Sequence, residues 1–249
     1  MKKILFFGLL AFLIAALWQL PLSYAKPHIE KLTKGDIQLG DVSGTIWKGE
    51  SKNFSVKNTP LGRLNWTVQP LKSLLSLSVK SSFKLDGDNI KANGFVGVFP
   101  NKKVTLNNTA FDIDALFINK LQNKAVLDGE IKGNIKHAEL HNKNLPIIDG
   151  TIDWKEGALK SPIKLPAGDY NAIITPDSGN LRIKLTSTDA PAELNGDIKL
   201  NKDWKYDSNI KVKANDKGLN SMLKFTGKPQ ADGSYAFKNK GDLSPFIGK

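Results

Sequence analysis

The chain of 249 residues contains no cysteine, and it has only three histidines, two methionines and four tyrosines. The absence of cysteine excludes disulfide bonds, thiolate metal sites and a cysteine nucleophile. The scarcity of histidine and tyrosine leaves few of the side chains that transfer protons in enzymes. These shortages point away from catalysis, and we predict no catalytic residue, no cofactor-binding residue, no metal ligand and no cofactor.

Long apolar runs are also scarce, because only one occurs and it lies near the N-terminus. Lys2 and Lys3 precede residues 4–20, which carry no charge. As a helix rising ~1.5 Å per residue this run is about 25 Å long, close to the thickness of a bilayer core. We predict a membrane anchor that uses these residues: Ile4, Leu5, Phe6, Phe7, Leu9, Leu10, Phe12, Leu13, Ile14, Leu17 and Trp18.

The lysine pair predicts the topology, since basic residues stay on the cytoplasmic side. The N-terminus is then cytoplasmic, residues 1–25 form the membrane anchor, and residues 26–249 form a domain exported to the far side of the membrane. A second interpretation is a signal peptide that is cut after Ala25, because Ser23-Tyr24-Ala25 is a small-x-small triplet. Both interpretations export the bulk of the chain.

The exported location decides how the net charge of +12 is interpreted. An exported basic domain meets anionic phospholipid and acidic proteins rather than DNA, so we predict no nucleic-acid partner. Lysines such as Lys80, Lys132 and Lys184 alternate with apolar residues instead of forming a block. This spacing is typical of the solvated face of a sheet.

Beyond residue 35 the dominant pattern has a period of two, which predicts strands with one apolar and one polar face. Residues 77–86 and 127–135 show it most clearly, with Leu77 and Leu85 on the apolar side of the first run, and Leu223 and Phe225 continue it further along the chain. Several Asp-Gly and Asn-Gly pairs, including Asp86-Gly87 and Asp232-Gly233, suit tight turns where they fall between strands. The predicted fold is mainly antiparallel β.

Two short helices interrupt the strands. Asp114 is a candidate helix cap, and Pro70 is a candidate first residue of a helical turn that carries Leu71, Leu74 and Leu75. Neither helix is long enough to cover a sheet. The apolar face must therefore close on itself as a sandwich, or form an elongated, curved, folded-over trough that accepts an acyl chain or a partner strand.

A faint internal repeat relates residues 44–49, Gly-Thr-Ile-Trp-Lys-Gly, to residues 150–157, Gly-Thr-Ile-Asp-Trp-Lys-Glu-Gly. It suggests two β pseudo-repeats, residues 26–142 and 143–249, joined near residues 141–147. We predict that Trp47, Trp66 and Trp154 pack in the core or in a groove, and that Trp204 is a turn residue.

Two constellations resemble enzyme sites but have plainer explanations. His137 and His141 are four residues apart, which in a strand separates them by about 13 Å, too far for one zinc ion. Asp112 and Asp114 could form a carboxylate pair, although helix capping explains such residues more often.

A resemblance to a known family rests on the anchor together with a set of motifs. The motif residues are Gly44, Thr45, Ile46, Trp47, Gly49, Gly62, Trp66, Pro70, Gly150 and Trp154. In this combination the chain is similar to protein N of the bacterial type II secretion system. The resemblance implies a non-enzymatic accessory protein of the inner membrane whose partners are other secretion-system subunits. A likeness of fold to lipid-handling envelope proteins adds the alternative of a lipid-binding or lipid-transfer module, with phospholipid as partner.

Overall fold

The structure is a computed structural model that describes residues 16–122, 125–142, 144–161, 165–215 and 217–244. The chain forms two compact units, residues 1–95 and 96–249, and the boundary between them falls within a strand, Ile90–Val98. Each unit is built from antiparallel strands with short helices between them.

The first unit is a meander of strands in chain order. Its strands are β1 (Ile37–Gly44), β2 (Lys48–Val56), β3 (Thr59–Val68), β4 (Val79–Asp86) and β5 (Ile90–Val98), and its helices are α1 (Leu22–Leu32) and α2 (Pro70–Leu75). Pairing is antiparallel from β1 to β2, from β2 to β3 and from β3 to β4. Lys57 and Asn58 join β2 to β3 with φ of 48° and 62°, the left-handed conformation that a two-residue hairpin turn requires.

The second unit continues the same pattern with longer strands. Its strands are β6 (Lys103–Asp114), β7 (Val126–His141), β8 (Ile147–Ser161), β9 (Leu165–Asp177), β10 (Asn180–Asp189), β11 (Ala192–Leu200), β12 (Lys205–Ala214), β13 (Lys228–Pro229) and β14 (Tyr235–Asp242), and its helices are α3 (Ala115–Leu121) and α4 (Lys217–Thr226). Each strand from β6 to β12 pairs antiparallel with the next. Strand β14 then pairs with β12, and β13 pairs with β14.

The predicted mainly antiparallel β fold is confirmed. In β7 the apolar residues from Leu127 to Ile135 are half-buried, and Glu130, Lys132 and Asn134 between them are exposed. Gly233 lies in a turn with φ of 78°, as its Asp-Gly pair predicts. Gly87 also follows a strand end, and its amide donates to the carbonyl oxygen of Ile90 over 2.9 Å.

Two parts of the alternating pattern were assigned wrongly: Leu77, and the continuation of the pattern at Leu223 and Phe225, which lie in helix α4 and not in a strand. Leu77 was predicted on the apolar side of a strand, but it precedes β4 and is exposed. Its φ of 48° is left-handed, so the backbone is not extended there and the period of two does not begin until Val79.

Both predicted short helices are present. The Asp114 carboxylate accepts a hydrogen bond of 2.8 Å from the amide of Leu116, which caps α3. Pro70 begins α2, where a missing amide hydrogen costs nothing. Helices α1 and α4 have no counterpart among the predicted helices. Helix α1 crosses residue 25, the predicted end of the anchor. That boundary stays a prediction.

Helices α1, α3 and α4 cover parts of the sheets, and α3 buries Ala115 and Phe117 against β6 and β7. Helix α1 packs on β1, where the Glu30 carboxylate accepts a hydrogen bond of 3.1 Å from the amide of Leu39. Helix α4 covers the end of the second unit, where a core is formed by Ala192, Val212, Leu219, Leu223 and Tyr235. At the edge strand β1, the Glu30 carboxylate thus occupies the Leu39 amide, a hydrogen-bond donor to which another strand could otherwise pair.

No helix within the part of the chain that the structure describes is long and apolar enough to cross a membrane. Of the predicted anchor, Leu17 and Trp18 are described, whereas its residues from Ile4 to Ile14 lie outside the described residues. The predicted linker at residues 141–147 connects β7 to β8, which pair as a hairpin. The division into pseudo-repeat halves stays a prediction.

Candidate interaction surface

The motif at residues 44–49 forms the turn between β1 and β2. The Thr45 hydroxyl accepts hydrogen bonds from the amides of Trp47 (3.3 Å) and Lys48 (3.2 Å), which closes the turn. Gly44 has a φ of 85°, and a Cβ atom there would lie 2.4 Å from the Lys48 carbonyl oxygen. The turn therefore requires glycine at position 44.

The indole of Trp66 lies against this turn. Its N–H donates a hydrogen bond of 3.1 Å to the Ile46 carbonyl oxygen. The six-membered ring lies over Gly49, where a Cβ atom would be 2.5 Å from Trp66 Cζ2. Glycine at position 49 thus leaves the space that the indole occupies. Trp66 and Trp47 are half-buried, so neither is a fully buried core residue.

The turn also holds residues 17–21, which belong to the C-terminal part of the predicted anchor. The Trp47 N–H donates to the Leu17 carbonyl oxygen over 2.8 Å, and its ring stacks on Trp18 with 5.6 Å between ring centroids. The amide of Ile46 donates to the Leu20 carbonyl oxygen over 3.2 Å. Pro21 and Thr45 form an antiparallel bridge. The motif residues from Thr45 to Trp47 therefore fix residues 17–21 to one end of the first unit.

Gly62 and Pro70 complete the first group of motif residues. Gly62 has a φ of 99°, and a Cβ atom there would lie 2.5 Å from the Asp86 carbonyl oxygen and from Gly87 Cα. Its role is close packing of β3 against the end of β4. Pro70 begins α2 immediately after β3, at the same end of the strands as the turn that carries Trp47.

The second group, Gly150 and Trp154, lies inside β8. The Trp154 N–H donates to the Asp128 carbonyl oxygen over 2.9 Å, and its ring lies 5.7 Å from that of Tyr170. Gly157 accommodates the indole, since a Cβ atom there would be 2.3 Å from Trp154 Cδ2. Burial raises the pKa of the Tyr170 hydroxyl. The two similar motifs thus occupy different local structures, a hairpin turn and a continuous strand.

One face of the second unit is apolar across several strands. Paired positions on β8, β9, β10 and β11 place Ile152 beside Ala172, and Ile174 beside Ile183, which in turn pairs with Ile198. Most of these side chains are only half-buried. An apolar face that remains partly open to solvent is a candidate for contact with a lipid or a protein.

The opposite face of the same strands carries ion pairs. The Arg182 guanidinium donates to both carboxylate oxygens of Asp197, and this hydrogen bonding lowers the pKa of Asp197 and raises that of Arg182. In the same way Lys155 lowers the pKa of Asp169, and Lys160 lowers the pKa of Asp128. In each pair the lysine Nζ lies 2.6 Å from a carboxylate oxygen. The lysines and arginine on this face neutralise carboxylates, as expected for a solvated face.

The constellations that resemble enzyme sites have structural partners. Asp114 caps α3, and Asp112 lies 3.6 Å from the Lys132 ammonium. His137 is hydrogen-bonded to the Asn107 side chain at 2.8 Å. His137 and His141 both lie in β7, as the strand assignment predicted. Within the described ranges no three His, Cys, Asp or Glu side chains are close enough to hold a metal ion.

The fold and these contacts define an antiparallel β protein in which a hairpin turn that contains glycine and tryptophan holds residues 17–21. The chain matches the family described as type II secretion system (T2SS), protein N, over residues 35–238, and it belongs to that family. The resemblance inferred from the sequence is thereby confirmed, and the family identifies the chain as a secretion-system component.

Two curated relatives agree with this assignment. Type II secretion system protein N of Vibrio cholerae serotype O1 is 22% identical over 218 residues, covering 83% of this chain and 85% of the relative. Type II secretion system protein N of Aeromonas hydrophila is 23% identical over 243 residues, covering 94% of this chain and 96% of the relative. No solved structure matches the chain.

Sequence reasoning found the motif residues but missed two of their partners. It did not anticipate that Leu17 and Trp18 contact Trp47, because a contact across 30 positions leaves no periodic signal. It also assigned Leu77 to a buried face. A signal was present in the run of leucines from Leu71 to Leu77, which has no charged residue other than Lys72.

Proposed function

We propose that this protein is a non-enzymatic accessory component of the type II secretion system that acts by protein–protein contacts on the periplasmic side of the inner membrane. The observation that carries the proposal is the family match, which spans residues 35–238. Residues 1–25 anchor the chain with its N-terminus in the cytoplasm. The anchor confines encounters to the membrane surface, so weak contacts with other subunits suffice.

An open strand edge supports a protein partner. Strand β14 pairs with β12 along its whole length, but β13 pairs only with Tyr235 and Ala236 on the other side. Within the described residues, no strand pairs with that side of β14 from Phe237 to Asp242. Lys238 and Lys240 are exposed there. A partner strand with acidic residues would add to this edge, and the lysines oppose self-association.

In-cell photocrosslinking tests this contact. A benzoylphenylalanine placed at Lys238 is expected to crosslink to secretion-system subunits. The same group at Lys199, which is exposed on β11 inside the sheet, is the matched control and should give no such product. Deletion of the coding region should reduce release of secreted proteins. Normal release in the deletion strain would refute the proposal.

A second candidate function is lipid binding, and the half-buried apolar face of the second unit favours it. Ile152 and Asp153 are neighbours in β8 and point to opposite faces. If the apolar face accepts acyl chains, a phospholipid with a diazirine in its acyl chain will label Ile152 and spare Asp153. Equal labelling of both, or of neither, would reject this candidate.

A further inference from the structure

Helix α2 and the residues after it turn polar side chains towards the protein and apolar side chains towards solvent, which is the reverse of an ordinary surface helix. The Ser73 hydroxyl donates to the Gln69 carbonyl oxygen over 2.7 Å and accepts from the amide of Lys80 over 2.9 Å. The hydroxyls of Ser76 and Ser78 lie 2.7 Å apart, and Ser78 is buried. The serines therefore face the protein.

The leucines face outward. Leu71, Leu74, Leu75 and Leu77 are 79%, 74%, 87% and 76% exposed, and Val79 beside them is exposed as well. We call these five residues the leucine patch. A soluble surface helix buries its apolar side and exposes its polar side. Five exposed aliphatic residues in one short segment mark a surface that is covered in the working protein.

The leucine patch follows the strand end that holds the N-terminal segment. The amide of Val68 donates to the Trp47 carbonyl oxygen, and the amide of Gln69 donates to the Lys80 carbonyl oxygen, each over 2.7 Å. Trp47 in turn holds Leu17, which belongs to the predicted anchor. Helix α2 therefore begins two residues after Val68. Val68 is bonded to Trp47, and Trp47 contacts the end of the predicted anchor.

The charges around the leucine patch suit an anionic surface. Residues 69–80 contain Lys72 and Lys80 and no acidic residue. Lys72 is exposed and Lys80 is half-buried. Aliphatic side chains flanked by lysines are the composition with which peripheral segments insert at the interface of an anionic membrane.

We propose that the leucine patch inserts into the periplasmic leaflet of the inner membrane and gives the first unit a second membrane contact besides the anchor. This inference rests on the inner-membrane location in the proposed function. It commits to a lipid surface as the occupant, because lysines flank the patch and because helix α2 begins two residues after Val68, which is bonded to Trp47. A membrane contact there would fix the orientation of the first unit relative to the bilayer.

The absence of cysteine makes a site-specific test direct. The full chain with Leu75→Cys, labelled with bimane, is reconstituted into vesicles of phosphatidylethanolamine and phosphatidylglycerol that contain nitroxide-labelled phospholipid. Leu32→Cys is the matched control, because Leu32 is an 83% exposed leucine in α1 at the end remote from residues 17–21. Circular dichroism confirms that both labelled proteins are folded.

The lipid nitroxide is expected to reduce bimane emission at position 75 by about twofold or more, and to leave position 32 nearly unchanged. Aqueous iodide should quench in the opposite order. Equal access of iodide to both labels would overturn the inference. Shielding of position 75 from iodide without quenching by the lipid nitroxide would also overturn it, because a protein, such as a second copy, would then cover the patch.

The outcome is independent of secretion, because the vesicles contain no other subunit. Lipid contact at position 75 together with normal secretion in the deletion strain would reject only the proposed function. A water-exposed position 75 together with lost secretion would reject only the membrane contact of the leucine patch.

Discussion

The indole N–H of Trp47 donates a hydrogen bond of 2.8 Å to the backbone carbonyl oxygen of Leu17, thirty positions earlier in the chain. The Trp18 ring stacks on the same indole, with an angle of 19° between the rings. The Gly-Thr-Ile-Trp turn thereby holds residues 17–21, and we call this set of contacts the clasp. It makes Trp47 a positioning residue for that segment.

Replacement of Trp47 by Phe should loosen the clasp while keeping an aromatic ring. The loss of one hydrogen bond, about 1 kcal/mol, raises by roughly fivefold the equilibrium population of the state in which residues 17–21 are detached. Hydrogen exchange of the Ile46 amide, which donates to Leu20, reports this opening. Trp154→Phe is the control, because it removes the bond to Asp128 in the second unit and should leave exchange at Ile46 unchanged. Unchanged exchange in Trp47→Phe would contradict the clasp.

Gly62→Ala should destabilise the protein far more than Gly179→Ala. Both glycines have left-handed φ, 99° and 85°, so both substitutions carry a backbone cost of about 1–2 kcal/mol. At Gly62 a Cβ atom also meets the Asp86 carbonyl oxygen at 2.5 Å, whereas at Gly179 nothing lies within 4 Å. We expect a total loss of about 2–4 kcal/mol at position 62. Urea unfolding of the full chain in detergent measures both, and equal losses would show that the close packing at Gly62 is unimportant.

Leu223→Ala should destabilise the second unit by about 2–4 kcal/mol, because Leu223 belongs to the core beneath α4. Phe225 is two residues away on the same helix and is 90% exposed. Phe225→Ala should therefore change the free energy of unfolding by no more than about 0.5 kcal/mol. Thermal unfolding followed by circular dichroism compares the two variants. A larger loss at Phe225 than at Leu223 would mean that α4 is oriented differently.

Acid should destabilise the ion-paired face of the second unit. The pKa of Asp197 lies below its ordinary value of 3.8 because Arg182 donates hydrogen bonds to the carboxylate. A lowered folded-state pKa gives stability that is complete above the unfolded pKa and is lost as the pH falls through the folded one. The melting temperature should therefore fall below about pH 4.

The variant Asp197→Asn tests whether the Arg182–Asp197 pair is a source of this acid destabilisation. The variant should melt below the wild type at pH 7, and the difference should shrink as the pH falls below about 4, because Asp197 is then protonated first in the unfolded chain and, at lower pH, in the folded chain. A difference that stays constant with pH would show that the asparagine acts through packing and not through the lost charge.

The period of two predicted most strands of the second unit, because burial alternates with side-chain direction along β7 and its neighbours. The same rule failed at Leu77, where a left-handed residue delays the strand. The sequence motifs included these glycines but did not show why glycine is required at each position. Only the structure shows that Gly49 leaves space for Trp66 and that Gly62 meets Asp86.

The sequence by itself determined the antiparallel β fold, the charged outer face and the family, since each depends on patterns that are local or on short motifs. The tertiary structure decided which partner each tryptophan binds and which way the leucines after Pro70 face. Those outcomes depend on contacts between residues far apart in the chain, and on serine hydroxyls that bond to the backbone and turn α2 outward. No local pattern encodes them.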